Sequence, residues 1–350
     1  MHTEKELPYM RKLKVIQIGC SHEHASGKIN TIKLMNDTFE LIGFVDDTDI
    51  CLTPRLNDNC AEWECYKDVP RLTLEEALNY PDLDLVTVEV PNNDLVPFAE
   101  MCLERKIPMH MDKPGGPDLE RYKKLIDGCE AANLPFQMGY MFRGNPALNQ
   151  ALDLSRKGAF GDIFEIKASM NHCYGEELYQ NYISKLDGGI MYNLGCHLFD
   201  LFISFLGEPD DVVSFLKSAP GYPDHVKNNC LAVLSYPHAT ATAHICSKDP
   251  DNTFRRRFRL VGTKGTFEIM PMERFDKQDF TARFFFKEDN EFFTAGEHIV
   301  NYGITRDRYE VQLAELAAIL RGTGKDSFTR QHDFLVHKVS LAASGYIPWK

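Results

Sequence analysis

The chain has 350 residues, 43% of them hydrophobic, a formal net charge of −12 and a pI near 5.5. This length favours two domains over one, and the acidic balance excludes nucleic acids and anionic membranes as partners, because phosphate binding requires a basic face. The N-terminal segment is charged, and no apolar run reaches the roughly 18 residues of a membrane span, so we expect a soluble, cytoplasmic protein.

The N-terminal part of the chain alternates short β-branched strands with amphipathic helices, which is typical of a parallel sheet covered on both faces. The strands are predicted at KVIQIG, FELIGFVDD, LDLVTVEVP, IPMHMDKP and PFQMGYMFR, and the helices at HASGKINTIKLMN, TLEEALNY, LVPFAEMCLERK and DLERYKKLIDGCEAAN. The order predicts a doubly wound α/β domain over residues 1–142.

Beyond the boundary near Arg143 to Pro146, longer alternating runs predict an open, mainly antiparallel sheet. Its strands are expected at DIFEIKASMNHCY, DDVVSFLKSA, NNCLAVLSYP, ATATAHICS, RRRFRLVG and GTFEIM. Two closing helices, TRDRYEVQLAELAAILRG and RQHDFLVHKVSLAASG, complete a second α/β domain over residues 143–350 and could pack back on the first.

Ten cysteines are scattered singly through apolar segments, without a CxxC pair. This pattern predicts reduced thiols in the core rather than a zinc or redox site.

The turn IGCSHEHASG lies between the first strand and the first helix, where backbone amides and the helix dipole can meet a pyrophosphate. Gly19 fits the first position of a glycine-rich fingerprint, but Ser21 and His24 replace the second and third glycines. We expect Gly19, Ser21 and His22 to contact a dinucleotide; an ordinary βα turn without a ligand is the alternative.

The second strand ends in Asp46 and Asp47, where a carboxylate can accept both ribose hydroxyls of an adenosine. Two acidic side chains would repel a 2′-phosphate unless a distant base compensates. The pair therefore favours NAD over NADP, with an acidic surface turn as the alternative.

The segment MHMDKPGG places Lys113 at the carboxyl end of a buried strand, where open α/β sheets collect ligands. A lysine here can donate to a substrate hydroxyl or to the nicotinamide carboxamide and lower the hydroxyl's pKa as hydride leaves. A solvated lysine is the alternative.

The apolar stretch GGIMYNLGCHLFDLF contains Asn193, His197 and Asp200. Asn193 and His197 are four residues apart and share one helical face, so both can reach one ligand. The imidazole is suited to proton transfer near neutral pH, whereas Asp200 could cap a loop or orient that imidazole. A core histidine and asparagine bonded to backbone are the alternative.

The ordered set IGCSHEHA, GFVDD, VTVEVPNN, MDKPGG, GYMFRGNPA and DGGIMYNLGCHLFDLF resembles the oxidoreductase family named for glucose-fructose oxidoreductase, inositol dehydrogenase and MocA. The resemblance implies a Rossmann domain followed by an α/β domain whose open sheet commonly forms an oligomer interface. It also implies oxidation or reduction of a sugar, polyol or related carbonyl with nicotinamide.

The resemblance implies that Lys113 corresponds to the family's EKP lysine, and that Asn193 and His197 correspond to an aspartate and a histidine four residues apart. Lys113, Asn193 and His197 would then be catalytic, with His197 as general acid/base. Pro91 and Asn92 correspond to the family's PN turn beside the cofactor. Substrate contacts are expected from Arg143, His172, Tyr174, Tyr182 and Lys185.

We therefore expect an NAD-dependent dehydrogenase that acts on a secondary alcohol of a sugar, polyol or sugar derivative, without a metal, as a homodimer or homotetramer. Two alternatives stay open. One is an enzyme that retains NAD and cleaves a glycoside by transient oxidation and elimination. The other is a dinucleotide-binding sensor without turnover, suggested by the altered glycine turn and by Asn193.

Overall fold

A six-stranded parallel sheet forms the N-terminal half of the computed structural model, which describes residues 11–51, 63–173, 177–274 and 276–350. Its strands are β1 (Leu13–Ile18), β2 (Phe39–Val45), β3 (Arg71–Leu72), β4 (Leu85–Val88), β5 (Met109–Met111) and β6 (Phe136–Met138). They follow the order β3-β2-β1-β4-β5-β6. This doubly wound order confirms the predicted Rossmann-type sheet and places a topological switch point between β1 and β4.

Helices connect these strands and bury their apolar faces on the sheet. They are α1 (Ala25–Leu34), α2 (Leu74–Leu78), α3 (Leu95–Glu104) and α4 (Leu119–Ala131). Every residue of β4, β5 and β6 is buried, as expected for strands covered on both faces. The two-residue strand β3 is not apparent in the sequence, and the predicted last strand stops at Met138, after which Met141–Gly144 form a 3-10 helix.

An eight-stranded mixed sheet follows, in the order β14-β13-β12-β11-β7-β10-β9-β8. Its strands are β7 (Ile163–Ser169), β8 (Asp211–Lys217), β9 (Asn229–Ser235), β10 (Thr240–Cys246), β11 (Arg257–Gly262), β12 (Gly265–Ile269), β13 (Thr281–Phe286) and β14 (Gly296–Asn301). Neighbouring strands are antiparallel except for β7 and β10, which are parallel. The mainly antiparallel prediction is therefore confirmed, with β13 and β14 added at one edge.

One face of this sheet is covered and the other is open. The remaining helices are α5 (Pro146–Arg156), α6 (Glu177–Ile183), α7 (Gly189–Leu206), α8 (Glu310–Leu320) and α9 (Arg330–Ala343). The helix α7 packs against β10 on one side and α9 on the other. On the opposite face apolar side chains are exposed, among them Phe215 at 51% and Ile299 at 60%.

Within the described ranges, α7 is also the one helix long and apolar enough, by length and composition, to cross a membrane. In this fold 83% of its residues are buried by other parts of the chain, which is equally characteristic of a central core helix. None of the nine described cysteines forms a disulfide.

Candidate functional site

The first glycine of the β1–α1 turn is required by its backbone conformation and by close packing. Gly19 has a φ of +96°, and a Cβ at this position would lie 2.6 Å from the backbone carbon and oxygen of Glu89. A larger residue would therefore be both strained and obstructed. The turn is held tightly against the carboxyl end of β4, at the switch point of the sheet.

The rest of this turn is stabilised by a carboxylate from the end of β2. Asp47 is buried, and its Oδ1 accepts hydrogen bonds from the Cys20 amide at 3.1 Å and from the Ser21 hydroxyl at 2.7 Å. Asp47 and Ser21 were both predicted to contact a cofactor. In this structure their polar atoms bond to each other and close the turn.

Asp46 lies at the predicted ribose position, directly after β2. Its carboxylate accepts from the Thr48 amide at 3.0 Å and forms an ion pair with Arg71 of β3, also at 3.0 Å. Arg71 is largely exposed, so the Asp46 carboxylate and a guanidinium lie side by side where the adenosine end of a dinucleotide would bind.

A buried network of charged and imidazole side chains lies beneath the turn. His24 Nδ1 is 3.0 Å and 3.1 Å from the two carboxylate oxygens of Asp112, and His22 Nδ1 is 3.7 Å from Asp112 and 3.6 Å from Glu89. The Lys28 ammonium lies 3.8 Å from Asp112 and 3.9 Å from Glu89. His24 thus replaces the third glycine of the fingerprint by bonding to a carboxylate at the end of β5.

Burial and neighbouring charges shift the pKa values of this network in different directions. It lowers the pKa of His22 to about 4, and burial reinforced by Asp112 raises the pKa of Glu89 well above its usual value. Burial alone would raise the pKa of Asp112, but His24, His22 and Lys28 hold it well below the normal range. Asp112 is therefore ionised at neutral pH and the imidazole of His22 is uncharged, whereas the surroundings of Glu89 favour its protonated form.

The structure brings Lys113 and Asn193 together, although they are 80 positions apart in the chain. The wholly buried Lys113 ammonium donates to the main-chain carbonyl of Asn193 at 3.0 Å and forms a short ion pair with Glu23. Burial opposes the charge on Lys113, yet Glu23 raises the pKa of this lysine above its ordinary value. Lys113 is a cation fixed at the carboxyl end of β5.

The Asn193 side chain joins three other elements at the same place. Its Oδ1 accepts from Asn92 Nδ2 at 2.7 Å, and its Nδ2 lies 2.9 Å from the Tyr179 hydroxyl and 3.2 Å from Glu23. The predicted cofactor residue Asn92 and the predicted catalytic residue Asn193 are therefore in direct contact, and Pro91 is buried immediately before Asn92.

His197 lies one helical turn beyond Asn193 and is wholly buried. Among the described residues, neither ring nitrogen has a hydrogen-bond partner. Burial, and then the positive charge of Lys113, hold the pKa of His197 well below its usual value. The ring lies among those of His24, Tyr140 and Phe142, with centroids 6.0 to 6.4 Å away. It is a neutral imidazole with an unused lone pair, the form required of a general base.

Asp200 and Arg143 do not take part in this arrangement. The buried Arg143 guanidinium lies 2.6 Å from Asp200 and 2.6 Å from Asp333, and Asp200 also pairs with His332 at 2.9 Å. Arg143 is thus engaged in a buried ion-pair network, and its contact with a substrate stays a prediction. Asp200 pairs with this network, not with His197.

The other predicted substrate residues have different surroundings. His172 is buried, and Arg256 Nη2 lies 2.7 Å from its Nδ1. Tyr182 is buried and receives a hydrogen bond from the backbone of Asn92. Lys185 is exposed just after α6, and Tyr174 lies outside the described residues.

Two cavities are bordered by Glu23, and Lys113 is not among the residues that line them. The larger has a volume of about 500 Å³ and also contacts Met141, Glu273 and Tyr309. The smaller has a volume of about 100 Å³ and is bordered by His172 as well as Glu23. Glu23 was not predicted from the sequence, because the glycine-rich fingerprint specifies no residue type at its position. The one indication in the sequence is its charge, in a turn that would lie next to a ligand.

Fold and site together define an α/β protein of the doubly wound, dinucleotide-binding class with an appended mixed sheet. Residues 148–268 match the family model described as the GFO/IDH/MocA C-terminal domain. Over this segment the chain is similar to the Gfo/Idh/MocA oxidoreductases, in agreement with the resemblance seen in its sequence motifs.

Curated relatives share part of this sequence, and solved structures share the fold. The chain is 26% identical over 196 residues to the uncharacterized oxidoreductase YhhX of Escherichia coli, covering 55% of each chain, and so spans about half of that relative. It is 24% identical to the D-xylose 1-dehydrogenase [NADP(+)] of Haloarcula marismortui, covering 65% of this chain and 67% of the relative. An Agrobacterium radiobacter oxidoreductase, solved in complex with NAD+, L-tartaric acid and magnesium, has the same fold, with a TM-score of 0.74 at 16% identity over 96% of each chain.

Proposed function

We propose that the protein is an NAD-dependent dehydrogenase that oxidises a secondary alcohol, or reduces the corresponding ketone, of a sugar, polyol or sugar derivative. The observation that carries the proposal is the buried group formed by Lys113, Asn193 and His197 at the carboxyl ends of the parallel strands. This group combines a fixed cation with a neutral imidazole whose nitrogens have no partner among the described residues.

The residues fit a nicotinamide dinucleotide at both ends of its expected path. Gly19 leaves no room for a Cβ at the turn, and Asp46 occupies the ribose position after β2. Asn92 and Lys113 lie together at the other end, so they would hold the nicotinamide portion. When bound, the cofactor supplies a hydride acceptor or donor.

Each protein group then has a defined task. Lys113 donates a hydrogen bond to the substrate oxygen and stabilises the negative charge that develops as its proton leaves. His197 accepts that proton during oxidation and returns it during reduction. The side-chain amide of Asn193 is fixed by Asn92 and Tyr179, and the main-chain carbonyl of the same residue accepts the hydrogen bond from Lys113.

The names of related proteins support the substrate class. One relative is a D-xylose 1-dehydrogenase, and the Agrobacterium structure contains L-tartaric acid, a hydroxylated small molecule. Asp46 favours NAD over NADP, because its carboxylate would repel a 2′-phosphate and is already paired with Arg71, the neighbouring guanidinium. We further propose the domain division at residues 142 and 143, and a homodimer or homotetramer formed through the open sheet face.

The test is NADH formation from a panel of sugars and polyols by the wild type and the His197→Ala variant. Loss of the general base should lower turnover by about 10²- to 10⁴-fold, while NADH binding, followed by fluorescence, should stay close to that of the wild type. His337→Ala is a matched control, since His337 is also wholly buried but packs against Tyr122. It should retain turnover.

Full activity of the His197→Ala variant would refute the assigned mechanism. Cleavage of a glycoside without net NADH would instead favour the enzyme that uses transient oxidation. NADH binding without turnover on any member of the panel would favour the dinucleotide sensor.

A further inference from the structure

The carboxylate of Glu23 lies between Lys113 and the asparagine on α7 and contacts both. The family resemblance leads one to expect an aspartate at position 193, where this chain has an amide. The structure places Glu23, from the turn between β1 and α1, against that amide. One Glu23 oxygen lies 3.2 Å from Asn193 Nδ2, and the other forms the short ion pair with Lys113.

Glu23 is also the member of this group that faces open space. Lys113 and Asn193 are wholly buried, whereas the Glu23 side chain is 13% exposed and contacts both adjoining cavities. Glu23 therefore borders the cavities while it is paired with the lysine.

The charges show what the contact does. Burial would raise the pKa of Glu23, but Lys113, followed by His24 and His22, holds it well below its usual value, so the carboxylate is ionised. Without this anion, burial would favour the neutral amine of Lys113. A neutral lysine would be a weaker donor to a developing oxyanion.

We propose that Glu23 is the positioning carboxylate of this site: it keeps the Lys113 ammonium charged and directed toward the substrate oxygen, in place of an aspartate on α7. The role of Glu23 in catalysis rests on the proposed function. The contact between Glu23 and Lys113 can be tested independently of any substrate.

The kinetic test compares Glu23→Gln with the double variant Glu23→Gln/Asn193→Asp. We expect Glu23→Gln to lower turnover about 10- to 100-fold, because Lys113 stays but loses its partner, while NADH binding changes little. The loss of activity at alkaline pH, where Lys113 gives up its proton, should move to lower pH. Asn193→Asp should restore both turnover and the pH profile by returning a carboxylate to the lysine.

Glu273→Gln is the matched control, because Glu273 lines the larger cavity and pairs with Arg256 and Arg308 rather than Lys113. It should leave the alkaline limb of the pH profile in place and gain nothing from Asn193→Asp. An unshifted alkaline limb in Glu23→Gln, or no recovery in the double variant, would overturn the proposal.

The second measurement is urea unfolding at about pH 7 and about pH 9.5, and it needs no substrate. In Glu23→Gln the folded-state pKa of Lys113 should fall below its unfolded value of roughly 10.4, so stability should rise with pH across this window. The stability deficit relative to the wild type should shrink at the higher pH. Equal deficits at both pH values would refute the proposed contact, whereas a shrinking deficit in a protein without dehydrogenase activity would refute only the proposed function.

Discussion

Replacing Arg143 by methionine tests whether this arginine stabilises the fold or contacts a substrate. The guanidinium lies 2.6 Å from both Asp200 and Asp333, and all three side chains are at most 4% exposed. Arg143→Met would leave two carboxylates buried without their shared cation. Removing one partner of a buried ion pair costs about 3–5 kcal/mol of unfolding free energy, and we expect a loss in that range.

The pH dependence of this loss follows from the same charges. In the wild type, burial opposes ionisation of Asp200, but Arg143 and His332 hold its pKa below normal; burial raises the pKa of Asp333. Without Arg143 both folded-state pKa values should lie above the unfolded value of about 3.9. The folded variant then binds protons more tightly than the unfolded chain, so its deficit should be largest near neutrality and shrink on acidification.

The assay is urea unfolding of the wild type and Arg143→Met at about pH 7.5 and about pH 5. Arg121→Met is the control, because Arg121 pairs with Glu100 at the surface, where a pair contributes at most about 1 kcal/mol. A deficit below about 1 kcal/mol for Arg143→Met, together with a raised KM for substrate, would refute the structural role and restore the substrate contact.

Two further predictions concern the cofactor and the assembly. Asp46→Ser removes the proposed ribose ligand and releases Arg71, so NADH should bind about 10- to 100-fold more weakly, and the affinity for NADPH should rise relative to that for NADH. Fluorescence titration with both nucleotides measures the two dissociation constants, with the exposed Asp49→Ser as control. An unchanged ratio of these constants would contradict the prediction. Phe215→Glu and Ile299→Glu place charges on the open sheet face and should lower the mass of the proposed oligomer in sedimentation experiments, whereas a wild type that sediments as a monomer would contradict the assembly.

The fold was predictable because its signals are local and repeat. Parallel strands buried on both faces appear as short apolar runs, and β4, β5 and β6 show this plainly. The strand β3 was missed because two residues leave no periodicity to detect. The parallel pairing of β7 with β10 could not be foreseen, because strand alternation defines faces but not partners.

The candidate site was only partly predictable, for a related reason. Lys113 and His197 stand out because strand ends and apolar helices seldom carry such side chains. Arg143 looked equally available in the sequence, and only the tertiary structure shows Asp200 and Asp333 around it. Glu23 was overlooked in the sequence, because its partners Lys113 and Asn193 lie on elements far away along the chain.

The charge balance around His197 bears directly on the role in proton transfer that we propose for this imidazole. Next to the turn, the ammoniums of Lys28 and Lys113 face the carboxylates of Asp112 and Glu23, and burial together with Asp112 raises the pKa of Glu89. A proton accepted by His197 adds a positive charge that has no hydrogen-bond partner among the described residues and is opposed by burial and by the charge of Lys113. That charge is unstable at a buried position, so the imidazole must pass the proton on rather than retain it. The same charges that keep His197 neutral before the reaction therefore favour its return to the neutral form afterwards.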